Sequence, residues 1–241
     1  LRRQNAGREG TRRADGQIFK RIGFEETLDA AASSDHYRSS GANAPMRGRG
    51  VASGFWMNGG GQSAATITVR ADGTVTLMEG SADIGGSRAS MAMIVAETLG
   101  LTAEDVTPMV VDTDSIGFTD GTGGSRVTYA TGDACYQAAE DVKERMRMRA
   151  AKQLEVDESD VTWRDGLFIC TSDPAKTLTF TQVASQQGST GGPIEGAGTV
   201  NASGAGNTFG THVVDLEVDP ETGKVQILRY TAVQDCGKAI H

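Results

Sequence analysis

The segment from residue 64 to residue 100 reads AATITVRADGTVTLMEGSADIGGSRASMAMIVAETLG. Its first half alternates apolar and polar residues around the turn sequence Ala71-Asp72-Gly73, which predicts two strands joined by a tight turn. Its second half places apolar residues at helical spacing from Met91 to Leu99 and ends at Gly100, which predicts a helix with a glycine stop. A strand, a turn, a strand, a glycine loop and a helix are therefore expected in this order.

Hairpins and helices also alternate along the rest of the chain. Apolar spacing predicts a short helix at 25–32 and a long one at about 129–154. A short strand is predicted at 109–115, and further hairpins are predicted to turn at 165–166 and 220–223. The fold class is therefore α+β, with β-hairpins and a mixed sheet packed against two main helices. A repeated strand-helix-strand unit of the Rossmann type is not predicted.

The chain has 241 residues, which is enough for one sizeable core or two small ones. It carries 31 acidic and 23 basic side chains, so a nucleic-acid partner is not expected. Residues 1–22 are locally basic, with seven basic and two acidic side chains, and they are poor in apolar periodicity. We expect 1–50 to form a basic, extended lead-in and connection that is mobile unless a partner covers it. Residues 51–241 then form the functional domain.

The sequence contains no apolar run near the roughly 20 residues that span a bilayer, and its start lacks the hydrophobic part of a signal peptide. A cytoplasmic protein without a membrane span is expected. Cys135, Cys170 and Cys236 are widely spaced, and the three histidines are scattered. This spacing predicts buried thiols and no metal site.

Glycine is unusually frequent, with 32 residues or about twice the ordinary share. The glycines cluster at 50–61, 80–86, 117–132, 188–198 and 203–210. Clusters between periodic segments are typical of loops that hold an anion or a cofactor, and they are also typical of ordinary turns.

The first loop that could carry chemistry is DIGGSRAS at 83–90, which leaves a strand and enters a helix. Its glycine pair brings free backbone N–H groups and the positive end of a helix to one point, as phosphate binding requires. Arg88 could add a charged contact to the same anion. The alternative is a tight turn with Ser87 as the helix cap.

The second loop is TGGSRVT at 122–128, again a glycine pair, a hydroxyl and an arginine before a helix. Two such loops suggest one large, phosphate-bearing ligand held from two sides. The GK[ST] ending of a P-loop is missing, so nucleotide hydrolysis is not expected. GAGNTFG at 204–210 matches a dinucleotide fingerprint only weakly, because no helix is predicted after it.

Three ordered segments carry a family resemblance: FWMNGGGQ and its continuation at 55–100, VVDTDS and its continuation at 110–134, and FGTHVV and its continuation at 209–241. Their order and spacing resemble those of the molybdenum-cofactor-binding large subunit of the xanthine dehydrogenase and aldehyde oxidase family. The carbon monoxide dehydrogenase branch is the most similar, and the resemblance covers essentially the whole chain, including LRRQN at 1–5. It implies the molybdenum-cofactor-binding type of fold.

The resemblance implies cofactor contacts in the first loop. The family's Glu-x-Gly-Gln-Gly-x-x-Thr loop, which contacts the pterin and the dinucleotide, corresponds here to Asp83, Gly85, Gly86, Ser87 and Ser90. The chain departs from that pattern at Gly86, where the family has Gln. Backbone N–H groups, Ser87 or Arg88 must then replace the missing side chain, or the cofactor binds differently.

It implies further contacts elsewhere in the chain. The second family loop, which touches the pterin and the phosphates, corresponds to Thr122, Gly123, Gly124, Ser125 and Arg126. Phe55 lies where the family has an aromatic residue facing the substrate, and Trp56 is beside it. A core role for both aromatic residues remains open.

The implied function is part of a molybdenum hydroxylase large subunit, an oxidoreductase, which supplies the dinucleotide-binding loops and part of the substrate funnel. Molybdopterin cytosine dinucleotide is the implied cofactor. The implied partners are the remaining large subunit, a 2Fe-2S subunit, an FAD subunit and a small-molecule substrate. The family's general-base glutamate lies in a Gly-x-Gly-Glu motif that this sequence does not contain, so no catalytic residue is assigned and the isolated chain is expected to be inactive.

Two alternatives stay open. The chain could be an isolated domain or a split-subunit chain that binds no cofactor by itself. It could also be an acidic binding protein that uses its glycine loops for another phosphate ligand.

Overall fold

The protein is described by a computed structural model covering residues 1–203 and 206–240. The first two residues of the GAGNTFG sequence lie outside the described residues. The chain divides into two compact units. The first unit consists of Leu1–Asn58 and Gly206–Ala239, and the second unit contains the segment that begins at Gly59. The division differs from the expected boundary at residue 50, because a strand that crosses this position belongs entirely to the first unit.

The described residues form ten strands: β1 (Arg47–Asn58), β2 (Gly61–Val69), β3 (Val75–Glu79), β4 (Val106–Val110), β5 (Val161–Arg164), β6 (Leu167–Cys170), β7 (Thr177–Thr179), β8 (Ile194–Ala202), β9 (Gly206–Val218) and β10 (Val225–Gln234). They also form seven α-helices: α1 (Phe24–Ser33), α2 (Asp35–Arg38), α3 (Ser87–Leu99), α4 (Thr113–Ile116), α5 (Gly132–Leu154), α6 (Phe180–Ser185) and α7 (Gln187–Thr190). The α+β class is confirmed, and α3 and α5 are the two main helices.

The first unit is built on an antiparallel sheet with the order β1-β9-β10. β1 pairs with β9 along its whole length, from Arg47 opposite Glu217 to Asn58 opposite Gly206. The predicted β9-β10 hairpin is confirmed, and α1 packs against β9. A small aromatic core lies in this unit, where Phe19, Ile22 and Phe209 are buried.

The basic lead-in packs against its own chain, which corrects the expectation that it needs a partner surface. The Phe19 ring lies 5.6 Å from the Phe209 ring, edge to face. Arg8 forms an ion pair with Glu25 at 2.8 Å, so acidic side chains of α1 balance part of the basic charge. Two apolar residues of the lead-in, Phe19 and Ile22, reach the core of this unit although they show no periodicity. The mobility of the segment stays a prediction.

The second unit contains a mixed sheet with the order β4-β3-β2-β8. The β2-β3 hairpin is confirmed, but β3 and β4 are parallel and are joined through α3, a crossover that the sequence did not predict. β4 also begins and ends earlier than the predicted strand at 109–115. The Asp112 carboxylate accepts a hydrogen bond from the N–H of Asp114 at 3.0 Å, and this capping turns the chain into α4.

The core of the second unit lies between the mixed sheet and the helices α3 and α5. The predicted apolar face of α5 is confirmed, since Cys135, Val142 and Met146 are fully buried. Gly196 and Gly198 lie on β8 directly under this helix. A side-chain carbon at either position would come within 3.0 Å of α5 backbone atoms, so these glycines serve close packing.

A third sheet, β5-β6-β7, completes the second unit. Its first hairpin turns at Asp165 and Gly166 with φ values of 51° and 78°, as the sequence predicts. Of the three cysteines, Cys135 and Cys170 are buried as expected, whereas Cys236 is exposed. No helix in the part of the chain that the structure describes is long and apolar enough to cross a membrane.

Candidate functional site

The first glycine loop connects the end of β3 to the start of α3. Gly85 and Gly86 both adopt left-handed conformations, with φ values of 67° and 79°. Their backbone N–H groups have no hydrogen-bond acceptor within residues 1–203 and 206–240, and no atom lies within 4 Å of a carbon built at either Cβ position. Two adjacent donors facing open space fit a phosphate-bearing ligand.

Asp83 closes the N-terminal end of α3. Its carboxylate accepts hydrogen bonds from the backbone N–H of Arg88 at 3.2 Å and from Arg88 Nε at 2.8 Å. The Arg88 hydrogen bonds hold the pKa of Asp83 below its ordinary value. Asp83 therefore caps the helix, in place of the alternative cap Ser87, whose hydroxyl donates to Asp83.

Arg88 remains partly available. Its side chain is 49% exposed, and among the described residues Nε is the side-chain nitrogen that has a hydrogen-bond partner. The two terminal nitrogens can therefore still donate to an anion. Ser90 lies one turn further into α3, where it is half-buried.

The second glycine loop is exposed from Gly121 to Ser125. Gly124 and Ser125 have left-handed φ values of 61° and 56°. The carbonyl of Gly124 accepts a hydrogen bond from the N–H of Gly59 at 2.7 Å, which fixes the loop at one point. In the described ranges, the N–H groups of Thr122, Gly123 and Gly124 have no acceptor, so this loop also offers adjacent donors.

Arg126 is placed differently from the prediction, because its side chain is buried and points into the protein. Its guanidinium donates to the carbonyls of Gly60, Asp120 and Gln62 at 2.7, 2.8 and 2.5 Å. It also donates to the hydroxyl of Ser63 at 2.7 Å. These bonds give the side chain a structural role, so the loop must contact a ligand through its backbone and its hydroxyl groups.

A π-helical turn, Val127–Thr131, follows the second loop and leads into α5. The sequence predicted an uninterrupted helix here from about residue 129. Single π turns recur at functional sites because they displace side chains from the regular helical path. Gly132, the first residue of α5, lies so close to Ile94 of α3 that a larger side chain would require the end of the Ile94 side chain to shift.

Buried hydroxyl groups connect the ends of the two loops where they join regular structure, which we call the loop roots. Thr131 Oγ1 lies 3.0 Å from Ser63 Oγ and 2.7 Å from Ser81 Oγ. Ser81 in turn donates its backbone N–H to Glu79 Oε2 at 2.5 Å. Since Ser63 is bonded to Arg126, this set of side chains reaches from the end of β3 to the second loop.

Glu79 is not among the predicted site residues, although the strand pattern contained a signal for it. Val75, Leu77 and Glu79 alternate along β3, so a carboxyl group at the third position faces the core. All three side chains are fully buried. Burial raises the pKa of Glu79, and Glu79 Oε1 has no hydrogen-bond partner in the described structure.

Phe55 and Trp56 lie on β1 in the first unit, with exposed fractions of 48% and 60%. The Phe55 ring lies 5.3 Å from that of Phe209, so one side packs on the aromatic core. Both residues line a groove of about 410 Å³ together with His212 and other residues of β1, β9 and β10. The two glycine loops belong to the second unit.

Metal-ligating side chains are not grouped in the described part of the chain. No cluster of three or more His, Cys, Asp or Glu residues there could hold a metal ion.

The chain matches a family model described as the molybdopterin cofactor-binding domain over residues 19–241. It is 30% identical over 183 residues to the carbon monoxide dehydrogenase large chain of Afipia carboxidovorans, covering 73% of this chain and 23% of that protein. It is 28% identical to the putative xanthine dehydrogenase molybdenum-binding subunit of Escherichia coli, covering 100% of this chain and 34% of that protein.

The fold is similar to that of the carbon monoxide dehydrogenase from Oligotropha carboxidovorans. The two superpose with a TM-score of 0.80 at 24% identity, over 93% of this chain and 32% of that chain. The chain thus spans about a quarter to a third of the length of the relatives that it matches. Because the family model covers nearly the whole sequence, the chain belongs to the molybdopterin cofactor-binding domain family.

Proposed function

We propose that this chain forms part of the large subunit of a molybdenum hydroxylase and supplies loops that hold a molybdopterin dinucleotide. The observation that carries the proposal is the pair of exposed glycine loops with unpaired, adjacent N–H groups. Such groups bind phosphate oxygens without a charged side chain. A ligand with a pterin and two phosphates is long enough to contact more than one loop.

The proposed contacts keep the residues predicted from the sequence, with Arg126 reassigned. They are Gly85, Gly86, Ser87, Arg88 and Ser90 in the first loop, and Thr122, Gly123, Gly124 and Ser125 in the second. Arg126 holds the second loop in place through hydrogen bonds from its guanidinium to the backbone carbonyls of Gly60 and Asp120. When bound, the cofactor supplies the two-electron redox chemistry of molybdenum, and these residues bind and orient it.

The groove at Phe55 and Trp56 is proposed as part of the wall of a substrate funnel. One face of the Phe55 ring is fixed by Phe209, and the Trp56 side chain is largely exposed. Aromatic surfaces held in this way favour flat, apolar substrates through stacking. His212, whose Nδ1 lies 2.6 Å from the Tyr230 hydroxyl, adds a polar group on the same groove.

The finer cofactor and partner assignments belong to the same proposal. We assign the cytosine dinucleotide form of molybdopterin to the loops, and 2Fe-2S and FAD groups to partner subunits. The support is the resemblance to the family together with the names of two relatives, a large chain and a molybdenum-binding subunit. Proteins with such names are components of larger assemblies.

The test is metal and nucleotide analysis of the natively purified full-length protein. Near-stoichiometric molybdenum, a fluorescent pterin after oxidation and release of cytidine monophosphate on acid hydrolysis are expected. Molybdenum with a different nucleotide would remove the cytosine assignment and leave the loop assignment in place. Protein with neither molybdenum nor pterin, from cells that load other molybdoenzymes, would overturn the proposal in favour of a binding module without the cofactor.

A further inference from the structure

A continuous series of buried hydrogen bonds connects the two glycine loops. It runs from Arg126 Nη2 to Ser63 Oγ at 2.7 Å, on to Thr131 Oγ1 at 3.0 Å, and on to Ser81 Oγ at 2.7 Å. Glu79 ends the series through its contact with Ser81. All five residues are at least 96% buried.

The Glu79 end sets the direction of these hydrogen bonds. The N–H and the hydroxyl of Ser81 both favour the charged form of the Glu79 carboxyl, so the one hydroxyl proton of Ser81 is directed to Glu79. Ser81 then accepts from Thr131, and Thr131 accepts from Ser63. At the other end, a guanidinium group only donates, so Ser63 accepts from Arg126. Hydrogen bonds aligned in one direction polarise each other, which makes the series stiffer than separate pairs.

Each end of the series is attached to one loop. Arg126 directly follows the exposed part of the second loop, Gly121 to Ser125, and binds the carbonyl of Asp120, which directly precedes that part. Glu79 and Ser81 lie where β3 passes into the first loop. The central residue, Thr131, ends the π-helical turn that precedes α5, so the unusual helical geometry lies at the midpoint of the series.

Stability alone does not account for these residues. Taking polar and charged groups out of water costs free energy, and apolar side chains of similar volume often replace buried polar groups without loss of stability. Valine and alanine at the three hydroxyl positions would fill most of the same space. What apolar groups cannot provide is a fixed distance and direction between the two loop roots.

We propose that Ser63, Thr131 and Ser81 are positioning residues that set the geometry of the two glycine loops relative to each other. The inference rests on the proposed function, since the ligand that benefits from this geometry is the molybdopterin dinucleotide. A change at one loop root is then transmitted to the other loop, and the pair acts as one preorganised binding surface.

The experiment compares Thr131→Val and Thr131→Ser in the full-length protein. Hydrogen exchange is followed at the hydrogen-bonded amides that hold each loop, Arg88 and Ala89 at the first loop and Gly59 and Arg126 at the second, and pterin content is measured by fluorescence after oxidation. Thr131→Val removes two hydrogen bonds, so it should speed exchange of these amides at both loops by about fivefold or more, fivefold being the effect of a single lost hydrogen bond, and should lower pterin content. Thr131→Ser keeps the hydroxyl and should restore both values.

Thr27→Val is the matched control. Thr27 is also buried, and its hydroxyl binds Thr211 in the first unit. This variant should leave exchange in both loops unchanged. If Thr131→Val does not fold, Ser81→Ala serves in its place, and faster exchange of the Gly59 and Arg126 amides at the second loop is then the expected result.

Faster exchange confined to the loop nearest the substitution, or equal effects of Thr27→Val and Thr131→Val, would overturn the proposal. The exchange measurement does not need the cofactor. A wild-type protein without pterin would therefore contradict the proposed function, while exchange would still decide whether the two loops are coupled.

Discussion

Arg88 and Arg126 occupy the same place in the two Gly-Gly-Ser-Arg sequences and have different surroundings. Arg88 is half-exposed and binds Asp83. Arg126 is buried, and its guanidinium satisfies three carbonyl groups and one hydroxyl group. The same Gly-Gly-Ser-Arg sequence therefore places an exposed arginine in one loop and a buried, hydrogen-bonded arginine in the other.

Substitution of the two arginines should separate these roles. Arg126→Ala should lower the free energy of unfolding by about 3 kcal/mol or more, because it leaves several buried acceptors without donors. Arg88→Ala should leave the melting temperature nearly unchanged, since exposed ion pairs contribute little, and should lower pterin content. Thermal unfolding and pterin fluorescence of the two full-length variants check this. Equal loss of stability in both would contradict the distinction.

Gly86 departs from the family pattern, and its backbone conformation gives a physical reason. A left-handed φ of 79° suits glycine and strains any residue with a side chain. Gly86→Gln, which restores the family residue, should therefore cost about 1 to 2 kcal/mol of stability. Gly188→Ala is the control, because Gly188 is not left-handed and has open space around it. Chemical denaturation measures both, and a Gly86→Gln protein as stable as the wild type would show that the loop can change conformation.

Glu79 should make stability depend on pH. Burial raises its pKa, so the folded protein holds this proton more tightly than the unfolded chain. The resulting stabilisation is complete below the ordinary glutamate pKa of about 4.3 and is lost as the pH rises through the raised folded value. Glu79→Gln should thus gain stability relative to the wild type as the pH rises from about 4 to 8.

Melting temperatures across this pH range check the prediction. Glu195→Gln, with the same charge change at an exposed position on β8, is the control and should follow the wild-type curve. Parallel curves for Glu79→Gln and the wild type would contradict a buried, proton-holding carboxyl group.

Strands and helices with a clear apolar period were predicted from the sequence, and those without one were not. The β2-β3 hairpin, α3 and α5 follow their patterns closely. β8 was not predicted, because Gly196 and Gly198 replace the apolar side chains that mark a buried strand. The parallel pairing of β3 with β4 was also missed, since it joins residues on either side of a helix and leaves no local signal.

The site was predictable where it depends on local backbone and unpredictable where it depends on distant contacts. The glycine pairs predict loops that contain left-handed residues, and the structure has left-handed conformations at Gly85, Gly86 and Gly124. The burial of Arg126 depends on the carbonyls of Gly60 and Gln62, which are far away in the sequence. No pattern within the loop indicates them.

The contact between β8 and α5 should be intolerant of any side chain. Gly198→Ala should cost about 2 kcal/mol or more, because the added carbon would meet backbone atoms that cannot rotate away. Gly50→Ala, in β1 with open space around it, is the matched strand control and should be nearly neutral. Denaturant unfolding compares the two. A neutral Gly198→Ala would mean that the helix can move off the strand at little cost.

Across the entire chain, charge is distributed less unevenly than the sequence suggests. The basic residues of the first 22 positions lie beside the acidic residues of α1, in exposed ion pairs such as Arg3 with Asp29 and Arg21 with Glu26. Exposed pairs hold a segment weakly. The lead-in is therefore retained mainly by the apolar contacts of Phe19 and Ile22 with the core of the first unit.

Limited trypsin digestion should distinguish these two kinds of contact. Phe19→Ala should speed cleavage within residues 1–22 strongly, because it removes a buried ring that contacts both Phe55 and Phe209. The triple variant Glu25→Gln, Glu26→Gln, Asp29→Asn should change the rate little, and high salt should act like the triple variant. Faster cleavage in the charge variant than in Phe19→Ala would show that ion pairs retain the segment.

The two glycines beneath α5 also restrict how the chain can fold. β8 pairs with β2 from Val69 opposite Ile194 to Gly61 opposite Ala202. The two strands are separated by most of the sequence of the second unit, so their pairing is a long-range contact. A slip of one residue would turn Glu195 and Ala197 toward the helix, and a slip of two would bring Ile194 or Val200 under it. Each of these side chains would collide with the α5 backbone where only hydrogen atoms fit. The close packing of α5 therefore selects one register of β8 against β2 and excludes the shifted ones.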